Sequence, residues 1–159
     1  MIRMAKKQVR RKDGDKLRLA LYSHDRTVRA QVLQALGDRL DDELPLVEIA
    51  EYATPAALIA AIDQQPVDCV ILDGEAVPVG GFGVGHQIKD EIPSPPPTVL
   101  LVARPGDSWL ATWSRADGVA TLPVDPLTLP ALVADVVKAD RAGTLADTTI
   151  VPGAASRHE

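Results

Sequence analysis

At 159 residues, with 46% hydrophobic and 25% charged side chains, the chain has the size and composition of one ordinary globular domain. A domain of this length buries roughly two thirds of the surface its unfolded chain exposes, so it needs no disulfide or metal staple. The formal net charge of −5 argues against a folded body built to meet nucleic-acid phosphates. No apolar stretch reaches the roughly 18 residues of a membrane span or forms a secretory leader, so a cytoplasmic location is expected.

The chain opens on Arg3, Lys6, Lys7, Arg10, Arg11 and Lys12, in a segment without helical or strand periodicity. Residues 1–15 therefore read as a disordered basic arm, a solvated tail before a nucleic-acid or membrane contact. Leu17 to Tyr22 is mainly apolar and reads as a strand. Ser23-His24-Asp25 supplies a turn and a helix N-cap, after which Val28, Val32, Leu33, Leu36 and Leu40 line one helix face. Val47 to Tyr52 alternates in the manner of an edge strand, and Thr54-Pro55 starts an alanine-rich helix through Ile62.

Val67-Asp68-Cys69-Val70-Ile71-Leu72-Asp73-Gly74 is a short apolar run ending on a carboxylate and a turn former. It reads as a strand buried on both faces, with Cys69 as a small hydrophobe and Asp73 at the carboxyl end. In open α/β sheets that edge is where ligands bind. Gly80, Gly81, Gly83 and Gly85 read as a flexible loop that lacks the lysine of a phosphate-binding motif. A short helix around His86 to Ile92 is stopped by Pro93-Ser94-Pro95-Pro96-Pro97. His24 and His86 have no zinc-ligand spacing and read as incidental.

Thr98 to Val102 is another buried strand, and Ser108 is expected to cap a helix carrying Trp109, Leu110 and Trp113. The two tryptophans, one helical turn apart, share a face. At least one is expected in the core, and their helix is the best candidate for a protein-binding surface, together with Asp117. Val119 to Leu122 reads as the last strand, and a helix opens at Pro126 or Leu127 and runs to about Ala139. The organisation is thus one domain over 16–141 with a flexible tail over 142–159. Five strand–helix pairs in alternation imply a parallel sheet with helices on both faces.

Taken together, Leu17 to Asp25, Val67 to Pro78, Thr98 to Arg104 and Thr121-Leu122-Pro123-Val124-Asp125-Pro126 resemble the receiver domain of bacterial response regulators. The likeness covers about Leu17 to Lys138 and is to an atypical, pseudo-receiver-like, stand-alone member of actinobacterial type. It implies an α/β, flavodoxin-like, doubly wound five-stranded sheet of order 2-1-3-4-5, and a signalling protein instead of an enzyme. Asp73 falls on the family's phosphoacceptor, and Pro78 lies one position beyond the proline that usually follows it.

The resemblance also implies departures in the chemistry. The family's acidic pair, which holds Mg²⁺, falls on Ser23 and His24, both poor ligands for a hard cation. Asp25 and Glu75 could compensate in part, although capping is the expected role of Asp25. The expectation is no required cofactor and at most a weak Mg²⁺ site from Asp73 and Asp25. The family's lysine falls on Leu122, its switch hydroxyl on Val102 and its switch aromatic on Val119. Leu122 should then pack beside Asp73, which loop N–H groups would hold.

Expected partners are proteins, a histidine kinase or a regulated enzyme, or a second copy through the fourth helix, fifth strand and fifth helix. Nucleic acid is not expected. Two other readings stand beside this one: a small flavodoxin-like protein binding a nucleotide or flavin, and a structural subunit of a larger assembly. The first is disfavoured because Ser23-His24-Asp25-Arg26 offers no glycine-rich phosphate cradle.

Overall fold

Five apolar runs form the strands β1 (Leu17–Tyr22), β2 (Val47–Tyr52), β3 (Cys69–Asp73), β4 (Thr98–Val102) and β5 (Gly118–Thr121). Between and after them lie the helices α1 (Arg26–Leu36), α2 (Pro55–Gln64), α3 (Gly81–Glu91), α4 (Trp109–Trp113) and α5 (Leu129–Ala142). The computed structural model describes residues 15–145 and 149–152, so the basic arm lies outside the described residues, apart from Asp15. The strands pair in parallel in the order β2-β1-β3-β4-β5, as expected.

Every residue of β3 and β4 is buried, which is why neither shows alternation. β2, at the edge, exposes Glu48, Ala50 and Glu51. On one face, Leu19, Leu21, Ile71 and Leu101 pack under Val32 and Leu36 of α1 and Leu132, Val133 and Val136 of α5. On the other, Ala20, Val70, Leu72 and Leu100 meet Leu58 and Ile62 of α2, Val84 and Ile88 of α3, and Ala111 of α4. Cys69 is buried, and burial pushes its thiol far above the ordinary range, so it stays a small hydrophobe. No described helix is long and apolar enough to cross a membrane.

Local chemistry accounts for most boundaries. The Asp25 carboxylate accepts from Thr27 N at 2.8 Å and the Thr54 hydroxyl from Ala57 N at 3.2 Å, starting α1 and α2. The glycine segment is not a flexible loop: Gly81, Gly83 and Gly85 lie inside α3. A Cβ on Gly81 would fall 2.6 Å from the carbonyl oxygen of Asp73, and one on Gly85 would fall 3.0 Å from Leu72 Cδ1. The glycines thus let the helix lie directly on the end of β3.

Ser108 does not cap α4 with its side chain. Its hydroxyl turns back to Pro105 O at 2.7 Å, within the 3₁₀ turn Pro105–Asp107. α5 begins later than expected because Asp125 first closes a turn, accepting from Leu127 N at 2.7 Å.

The expected tail is not featureless. Val119 N donates to Ile150 O at 3.0 Å and Ile150 N to Asp117 O at 2.8 Å, adding a parallel bridge on the open edge of β5.

Candidate functional site

Asp73, the last residue of β3, is 1% exposed and lies in register with Leu101 of β4. Strand alternation sends its side chain to the face covered by α1 and α5, on which Ile71 and Leu101 lie. Ser23, the first residue after β1, is fully buried beside it. The Ser23 hydroxyl donates to Asp73 Oδ2 at 2.7 Å and accepts from Asp25 N at 3.0 Å. The other carboxylate oxygen, Oδ1, accepts from Glu75 N at 2.8 Å. Asp73 is therefore bonded by one neutral hydroxyl and one loop amide, the second of the kind expected.

The β3–α3 connection is pinned from β1 by three consecutive residues. Tyr22 OH donates to Val79 O at 2.6 Å, Ser23 holds Asp73, and His24 Nδ1 accepts from Val77 N at 3.0 Å. That last bond requires Nδ1 to carry no proton. Burial, and secondarily the Asp73 charge, raise the Tyr22 pKa above the ordinary value, so the phenol stays a donor. Tyr22, the one aromatic residue of β1, was the sequence signal for this contact. Arg29 braces the same turn, donating to Ser23 O at 2.6 Å and pairing with Glu51 at 3.0 Å.

The remaining positions separate into near and far groups. Asp25 reaches the site only through its backbone, since its carboxylate caps α1. Glu75 is exposed, with Oε2 3.4 Å from Ala103 N. Leu122, half-buried, packs on the cluster under α1 and α5, and its peptide bond to Pro123 is cis.

Val102 and Val119 lie in the opposite cluster, so Val102 is not the position beside Asp73. Strand parity gives that place to Ala103, one residue on, which carries no hydroxyl either.

The fit of a hard cation can be judged from these donors. Mg²⁺ takes oxygen ligands in a near-octahedral shell. Here the hydroxyl beside Asp73 points into the carboxylate, the next residue offers an imidazole nitrogen bonded to Val77 N, and the next carboxylate caps a helix. Among the described residues no three His, Cys, Asp or Glu side chains are placed to hold a metal. The residues present do not fit Mg²⁺.

Neither tryptophan is in the core: Trp109 is 63% and Trp113 48% exposed. α4 has only five residues and turns Ala111 inward, which leaves both indoles outside. Trp113 stacks on His86 of α3 with centroids 4.4 Å apart and meets Phe82 edge-on at 6.0 Å. His86 in turn lies 3.3 Å from Asp90, which also pairs with Arg115.

Asp117 does not belong to this surface. Its carboxylate accepts from Lys89 Nζ at 2.8 Å and Thr98 N at 2.9 Å, fastening the start of β5 to α3 and β4. That lock sits at the sheet end opposite Asp73.

The chain is 44% identical over 123 residues to an uncharacterized response regulatory protein of Mycobacterium tuberculosis strain CDC 1551 / Oshkosh, with 77% of this chain and 92% of the relative covered. The same values hold for the response regulatory protein of strain ATCC 25618 / H37Rv. Among solved structures, the signal receiver domain of an HD domain-containing protein from Pseudomonas fluorescens Pf-5 superposes with a TM-score of 0.67 at 16% identity, covering 86% of this chain and 96% of that one. A CheY-like receiver domain protein from Methanospirillum hungatei JF-1 gives 0.64 at 18% identity, covering 81% and 99%. No protein-family model matches the sequence.

Proposed function

Because the chain belongs to the response-regulator receiver family, we propose that it is an atypical, non-enzymatic cytoplasmic receiver that signals through protein contacts, with phosphorylation at Asp73 weak or absent and no cofactor required. The observation that carries this reading is the Ser23 hydroxyl bonded to Asp73 Oδ2. Moving a phosphoryl group onto a carboxylate brings like charges together, and catalysis of that step is positioning plus charge neutralisation. Around Asp73 the neighbouring side chains are neutral or turned elsewhere: Ser23, Ala103 and Leu122 bring no charge. A new dianion there would find few donors to convert charge into movement.

The test is the intact mass after incubation with Mg²⁺ and a small phosphodonor. Labelling should be slow or undetectable and little dependent on Mg²⁺. Rapid Mg²⁺-dependent addition of one phosphoryl group, lost in Asp73→Asn, would restore an ordinary phosphorelay role.

A protein that signals without that charge must do so by association, with a histidine kinase, a regulated enzyme or a second copy. The exposed indoles of α4 are the anchors this reading assigns, since Trp is enriched among residues that dominate interfaces. Trp109→Ala should change stability by no more than about 0.5 kcal/mol, whereas Trp113→Ala should cost about 1–2 kcal/mol, because it removes the ring contacts with His86 and Phe82. At least one should weaken association tenfold or more in ultracentrifugation or partner capture. A chain that stays monomeric at every concentration and keeps full partner binding without either indole would remove this surface.

A further inference from the structure

β5 is the last strand in the sheet order, so among the described residues no full strand neighbours the backbone groups on its outer side. Unpaired edges of this kind recruit extended chains unless something covers them. Here Thr149 and Ile150 do so. Val119 N donates to Ile150 O at 3.0 Å, Ile150 N to Asp117 O at 2.8 Å, and Thr149 Oγ1 to Ala116 O at 2.9 Å. The Ile150 side chain rests on the cluster under α1 and α5. Two backbone bonds flanking Gly118, a hydroxyl bond before them and one seated β-branched side chain are the elements by which strand addition recognises a peptide.

We propose that the β5 edge is a strand-acceptor site, held in cis by Thr149 and Ile150, and that the partner it fits is an extended segment adding parallel to β5, with a hydroxyl residue followed by a β-branched aliphatic one. The segment already seated defines that chemistry. The site rests on the reading of the chain as a receiver that signals by contact, because it gives partner access to β5 a control that Asp73 need not supply. Among the described residues two backbone bonds, one hydroxyl bond and one partly buried side chain hold the segment, few enough for it to exchange with a competitor. Tethering gives it a high effective concentration, and a free competitor is at a disadvantage while it stays intact.

The experiment uses the full chain and its Ile150→Pro variant, which lacks the N–H that bonds Asp117 O. Amide hydrogen exchange at Val119 should accelerate at least tenfold in the variant. Asp117 N and Leu122 N, bonded to Thr98 O and Val102 O inside the sheet, should keep their protection and report an intact fold. A synthetic peptide with the sequence of residues 147–152 should bind the variant at least tenfold more tightly than the wild-type chain. If the control amides also lose protection, Ile150→Ser, which keeps the N–H and empties the apolar seat, replaces it with the same expectations in direction. Equal Val119 exchange in both chains, or a peptide that binds neither or binds both alike, would overturn the proposal. None of these readings changes with the phosphorylation of Asp73, so they fail or hold apart from the test of that residue.

Discussion

Ser23→Asp is expected to destabilise the protein by about 3–5 kcal/mol in buffer free of divalent cations, the usual cost of an uncompensated buried charge. The wild-type hydroxyl is fully buried, 2.7 Å from Asp73 Oδ2, and it donates. A carboxylate in its place cannot donate when ionised, and it would set a second negative charge against the first where little water reaches. Two oxygens converging from adjacent strand ends would also begin the oxygen-rich shell that a hard cation prefers. Mg²⁺ should therefore return much of the lost stability in the variant and leave the wild type unchanged. Denaturant unfolding of both chains, with and without Mg²⁺, measures this. If the variant unfolds like the wild type without Mg²⁺, or the wild type itself gains from the cation, the Ser23–Asp73 bond does not play the part assigned to it.

Gly81→Ala should cost about 3 kcal/mol, at the upper end for overpacking. For a domain of this length that lowers Tm by roughly 6–12 °C. The added Cβ would sit 2.6 Å from the Asp73 carbonyl oxygen and 2.8 Å from its carbonyl carbon, backbone atoms of a strand that cannot give way. Gly83→Ala, two residues along the same helix, meets only Val79 Cγ1 at 3.7 Å. It should be neutral or stabilising by up to about 1 kcal/mol, because alanine is the better helix former. The pair separates close approach from helix propensity: equal Tm values for the two variants in a thermal melt would show that α3 can lift off β3 at little cost.

The alternation of strands and helices was legible because it rests on burial patterns that the chain repeats, whereas the strand order followed from the family resemblance and not from periodicity. The apolar runs of β1, β3 and β4, the alternation of β2 and the cap chemistry of Asp25 and Thr54-Pro55 all fall where periodicity and propensity placed them. Asp73 was legible for the same reason, as a carboxylate closing an apolar run.

What escaped depends on contacts between distant segments. Glycine spacing alone cannot tell a loop from a helix pressed against a strand, since only the position of Asp73 O and Leu72 makes a Cβ intolerable. Whether Val102 or Ala103 stands beside Asp73 is a question of strand parity, and one residue reverses the face. The tryptophans share a side of α4, but nothing in the i, i+4 spacing says whether that side meets the core; α4 proved too short to bury them. Asp117 looked like a surface charge because Lys89 and Thr98 N, its partners, are remote in sequence. The seat of Ile150 was hidden in the same way, behind a stretch with no periodicity of its own.

The two tryptophans of the chain both lie on α4, with roughly half or more of each in solvent. Intrinsic indole emission therefore originates from a single patch of the molecular surface. Unfolding changes the hydration of Trp109 little, so an emission-based melting curve follows the loosening of Trp113 from His86 and Phe82 more than the loss of the sheet. Circular dichroism is the appropriate probe of global stability. Emission serves a different purpose, since any molecule that settles on this patch displaces water from the fluorophores and reports its own arrival without a label.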